Sequence, residues 1–130
     1  MLELLPGLLL QVPIANEGTD HYWVVLTGPK DGDEVVFVML TDARNVLNPN
    51  PVLPQGTQIS QLLRLRKQTT VNYARSRRAP RSQVASLIRN GSLETLGQCT
   101  QELLELLRSA LLDSPDTPDD VYDLCLGLDW

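Results

Sequence analysis

The chain has 130 residues, enough for one domain with a single hydrophobic core, and 42% hydrophobic with 21% charged residues is a globular composition, not a disordered one. Its longest apolar run, 35–40, falls far short of the roughly 18 residues that a membrane span needs, so no membrane association is expected. Two distant cysteines, Cys99 and Cys125, and a single histidine, His21, exclude a disulfide framework and leave too few ligands for a transition metal.

The N-terminus carries Glu3 and lacks basic residues ahead of its apolar stretch, which argues against a secretory signal. Reduced, buried cysteines suit the cytosol, and the expected location is cytoplasmic. Walker, nucleophile-elbow and dinucleotide-binding motifs are absent, and no cofactor is expected.

The formal charge of −5 conceals a strong asymmetry. Eight of the eleven basic residues (Arg64, Arg66, Lys67, Arg75, Arg77, Arg78, Arg81 and Arg89) lie between positions 64 and 89. No acid occurs from Ala43 to Leu93, whereas 113–129 holds six aspartates and no base. Such a division points to a polyanion-binding face, an internal acidic cover for it, or both; a solvated ionic seam is the plainer alternative.

In chain order, Pro6-Gly7 marks an entry turn and 8–14 reads as a first strand, followed by a polar loop at 16–19. His21-Tyr22-Trp23-Val24-Val25-Leu26-Thr27 has the aromatic and β-branched make-up of a second strand. Gly and Asp between 28 and 33 supply a turn into a third strand at 34–41, whose near-continuous apolar run predicts a central position in the sheet. Residues 42–56 form a long loop punctuated by Pro49, Pro51 and Pro54. Residues 57–65 and 67–73 read as two further short strands, with Leu63-Arg64-Leu65-Arg66 alternating between faces.

Helices are expected only after Pro80. Ser82 would cap one carrying Val84, Leu87 and Ile88, stopped at Asn90-Gly91. Thr100 would cap a second, with Leu103, Leu106, Leu107, Ala110 and Leu111 as its buried stripe. Thr117-Pro118-Asp119-Asp120 opens a third, whose apolar face is Val121, Leu124, Cys125 and Leu128. The whole is a single α+β domain over 1–130, an antiparallel β-barrel over 1–80 with helical decoration and an acidic tail over 81–130. Trp23 and Phe37 are assigned to the core, Tyr22 and Tyr73 to base stacking, and Trp130 to anchoring the tail.

The second strand, the third strand closing on Leu40-Thr41-Asp42, then Gln68-Thr69-Thr70-Val71-Asn72-Tyr73, a basic stretch and a helix over 82–90 together resemble the PemK/MazF-type toxin family across residues 5–112. The resemblance implies an SH3-like barrel, metal-independent cleavage of single-stranded RNA, homodimerisation and an acidic antitoxin-like or regulatory protein partner. Thr41 matches the family's strand-end Thr. His21 stands where the family's active-site Arg would, and the family's Arg-Pro step is here His21-Tyr22.

Cleaving RNA without a metal requires a base, an acid and a cation for the phosphorane. His21 is the side chain suited to proton transfer, Thr41 can bond a phosphate oxygen, and Arg44 can supply the charge. Arg64, Arg66, Lys67, Arg75, Arg77, Arg78 and Arg81 are the expected nucleic-acid contacts. The functions left open are an RNA-binding or RNA-cleaving domain of this kind, a barrel without catalysis that holds a protein partner, and a purely structural domain.

Overall fold

The computed structural model describes residues 4–12 and 21–130. Five strands, β1 (Leu8–Val12), β2 (His21–Val25), β3 (Glu34–Asp42), β4 (Thr69–Pro80) and β5 (Glu94–Gln98), form one sheet in the order β4-β3-β2-β1-β5. Every ladder is antiparallel. Among the described residues, three α-helices accompany the sheet: α1 (Arg81–Arg89), α2 (Gln101–Asp113) and α3 (Asp119–Leu126). The fold is therefore α+β, with its α-helices after residue 80. No helix among the described residues is long and apolar enough to cross a membrane.

The β2–β3 hairpin forms as its composition dictates, with Tyr22 opposite Leu40 and Val25 opposite Phe37. β2 ends at Val25, earlier than its apolar run, because Thr27 turns its hydroxyl inward to accept the Val36 N–H at 3.0 Å. The expected continuation of β1 through 13–14 and the polar loop at 16–19 lie outside the described residues.

β4 departs most from expectation. A short strand was predicted at 67–73, but β4 runs on through the arginines to Pro80. The cause is tertiary. The first half of β3 needs a partner, and residues 77–80 provide one, with Phe37 opposite Arg77 and Glu34 opposite Pro80. A bulge then shifts the register, so that Met39 faces Asn72. The strand expected at 57–65 is reduced to a single bridge, Gln58 to Arg64.

β5 was not anticipated. Gly91, at φ +83°, stops α1, and the chain returns along β1. The long loop then ties the two edges of the sheet together: Leu53 bridges Thr69 of β4, and the Ser60 hydroxyl donates to the Leu96 carbonyl of β5. Gly97 permits this approach, since it has φ +91° and a Cβ there would stand 3.3 Å from Ser60 Oγ. No ladder joins β4 to β5 among the described residues.

The sheet is buried on both faces, and strand alternation sorts the residues. Val24, Val36, Val38, Leu40, Val71 and Tyr73 face one core, closed by Ile59 and Leu65 of the loop and by α2 and α3. Leu8, Leu10, Val25 and Val35 face a smaller core, closed by Val84 of α1. Ser82 does not cap α1, which begins at Arg81 with its N–H donating to the Asp33 carbonyl at 2.7 Å. Thr100 caps α2 as expected, accepting from the Leu103 N–H at 3.2 Å. The α2 stripe is rotated from the expected one: Leu104, Leu107, Ala110 and Leu111 are buried, while Leu106 is exposed.

α3 docks Val121 and Cys125 into the larger core, with Leu124 and Trp130 packed at its edge. Thr117 does not cap α3; its hydroxyl donates to the Leu111 carbonyl at 2.7 Å and fixes the α2–α3 turn. Arg108 donates twice to the Leu26 carbonyl and stacks 4.8 Å from the Trp130 ring centre, so the tail is anchored as expected. Cys125 is buried and Cys99 half-buried, both as free thiols, and burial pushes Cys125 up to about 12.

Candidate functional site

His21 begins β2 and Thr41 stands near the end of β3. One step beyond the Tyr22–Leu40 pair, the antiparallel register sets His21 across from Thr41. Directly opposed residues share a face, and theirs is the face of Trp23 and Met39. Two of the three expected catalytic residues thus lie at one corner of the sheet. The Thr41 hydroxyl accepts from Asn45 Nδ2 at 3.2 Å.

Arg44 is committed elsewhere. Its guanidinium forks onto the Asp42 carboxylate, with Nη2 at 2.7 Å and Nε at 3.1 Å, and its backbone N–H donates to the same group at 2.9 Å. The Arg44 side-chain bond, then the backbone bond, hold the Asp42 carboxyl well below the usual range. Lys67 Nζ lies 3.5 Å from the same carboxylate. The two cations nearest the corner are therefore held by one acid.

The expected nucleic-acid contacts divide in two. Arg66, Arg75 and Arg77 are exposed on or just before the edge strand β4, and among the described residues they form no ion pair. Arg64 is also exposed and donates to Gln58 at 3.1 Å across the small loop. Arg78 and Arg81 serve the fold instead. Arg78 pairs with Glu34 and donates to the Asp120 carbonyl at 3.2 Å, and Arg81 donates to the Leu4 carbonyl at 3.0 Å.

The acidic tail does not cover the basic segment with its carboxylates. Among the described residues, α3 meets that segment through the Asp120 carbonyl, and no aspartate of the tail lies in an ion pair.

Trp23 and Phe37 pack against the smaller core as expected, Tyr22 packs against the larger one, and the stacking assignment of Tyr73 is overturned. Tyr73 is buried, and its hydroxyl donates to the Leu107 carbonyl at 3.0 Å, so it is unable to stack a base; burial drives its phenol upward from the ordinary value. Trp23 and Phe37 are only half-buried and meet edge to face, with ring centres 5.3 Å apart. They line a hollow of about 450 Å³ between the sheet and α1, together with Arg77, Gln83, Val84 and Leu87. Among the described residues, no carboxylate lines it. A second hollow of about 430 Å³ is rimmed by Asp113 and Asp116 and so repels a polyanion.

Gln83 and the openness of Trp23 were missed from sequence. The signal was present only in part: β2 carries large apolar residues on both faces, which says that two layers cover it but not that one layer is incomplete. No family description, curated protein or solved structure matches this chain.

Proposed function

We propose that the domain binds single-stranded RNA along the β4 edge and the loop leading into it, as a divergent relative of PemK/MazF-type toxins with a barrel-like sheet of the SH3 kind. The observation that carries this reading is the exposed cation stripe of Arg64, Arg66, Arg75 and Arg77, which among the described residues forms no ion pair. At about 3.3 Å per residue, the eight steps from Thr69 to Arg77 reach roughly 25 Å, long enough for several phosphates. The loop that joins both sheet edges supports the barrel-like reading.

Binding without cleavage is favoured over catalysis by the grip of Asp42 on Arg44. His21 and Thr41 supply a proton-transfer group and a hydroxyl, but the cation that the phosphorane requires is already neutralised. The test is incubation of the purified protein with a mixed-sequence single-stranded RNA in EDTA, following retention and product length together. Retention at low salt without discrete fragments is expected. Discrete fragments that vanish with His21→Ala would make the domain an endoribonuclease, and absence of retention would end the RNA reading.

A further inference from the structure

Resting on that reading, we propose that the hollow between Trp23 and α1 seats one unpaired base of the bound RNA. Large aromatics that serve only a core are closed over by their neighbours, but Trp23 and Phe37 line a hollow of about 450 Å³, within the range of about 300–1,000 Å³ typical of small-ligand sites. Apolar surface left to water in this way costs about 25 cal/mol per Å², which a planar apolar occupant recovers.

The lining selects the occupant. Trp23 and Phe37 offer π surfaces, and Arg77, over the Trp23 ring at 6.0 Å, places a cation where a sugar-phosphate chain would leave the hollow. Gln83, exposed on α1, presents an amide that both donates and accepts, matching the edge of a heteroaromatic base. Among the described residues the lining holds no carboxylate to oppose the anion attached to that base. An aliphatic side chain of a protein would use neither Arg77 nor Gln83. The hollow lies on the same sheet face as His21, two residues from Trp23 along β2, so a base seated there directs its phosphate along the sheet toward the His21–Thr41 corner.

The experiment uses the Trp130→Phe protein, in which Trp23 is the remaining tryptophan and is excited selectively over the tyrosines, titrated with a ten-nucleotide single-stranded RNA and with the same backbone made abasic. The base-bearing strand is expected to quench Trp23 emission and to bind roughly 5- to 150-fold tighter than the abasic one, the range for stacking one base. Gln83→Trp fills the hollow from its rim without altering the sheet and is expected to abolish that preference while the salt dependence of binding persists. Equal binding of both strands with unchanged emission would overturn the base seat and leave the RNA reading standing. Failure of both strands to bind at low salt would overturn both. Quenching by an acidic leucine-rich peptide but not by RNA would assign the hollow to a protein partner.

Discussion

Arg77 and Arg78 are neighbours in β4 with opposite fates: Arg77 lies over the Trp23 ring at the open hollow, whereas Arg78 passes to the other face and pairs with Glu34. The alternation of a strand makes this division, placing one guanidinium at the open hollow and the next against α3.

Charge reversal at the two positions should therefore separate binding from stability. Arg77→Glu is expected to weaken RNA binding at least several-fold and to leave the melting temperature nearly unchanged. Arg78→Glu sets like charges side by side and removes the bond to the Asp120 carbonyl, with an expected loss of about 1–2 kcal/mol. Parallel denaturation and filter-binding measurements on both variants check this.

Asp42 restrains the corner. Asp42→Asn removes a negative charge and frees Arg44 and Lys67, and should raise RNA affinity several-fold at low salt. The amide still accepts the Arg44 N–H, so the melting temperature should change little. Because the folded carboxyl titrates below the usual range, its charge is present above the unfolded value and is lost only as pH falls through the folded value. The effect of the substitution should thus be undiminished from pH 8 down to pH 5, which affinity measurements across that window test.

The α2 stripe makes a sharper claim about packing. Leu104 is 3% exposed and Leu106 45%, so Leu104→Ala should cost about 2–4 kcal/mol and Leu106→Ala less than about 0.5. Urea unfolding of the two single variants decides it.

Alkali should weaken the fold. Cys125 is pushed up to about 12 by burial, above its ordinary value of 9.0, and burial raises Tyr73 as well. A raised folded value means that the stabilising contribution is complete below the unfolded value and falls as pH rises through the interval between them. Melting temperature should hold steady to about pH 9 and drop beyond it, less steeply in Cys125→Ala than in the parent.

Much of this was legible in the residues. The β2–β3 hairpin follows from local composition, Thr100 from capping chemistry and Gly91 from the need for positive φ after a helix. The placement of His21 and Thr41 at one corner follows from pairing those two strands without slippage. What was illegible depended on partners distant in sequence. Residues 74–80 carry no strand pattern of their own and become β4 because β3 has an unpaired half. β5 has only half-exposed apolar positions and exists by pairing with β1. Tyr73 looked available for stacking until α2 closed over it, and Arg44 looked free until Asp42, two residues away, folded back on it.

The most direct test of the central claim is the affinity for a single-stranded RNA measured against salt concentration. If Arg64, Arg66, Arg75 and Arg77 grip phosphates, log K should fall linearly with log salt at about −0.7 for each contact, near −3 for the four, and reversing Arg75 and Arg77 together should reduce the slope by about 1.4. Binding that ignores salt, or no binding to any single-stranded RNA at low salt, would contradict it.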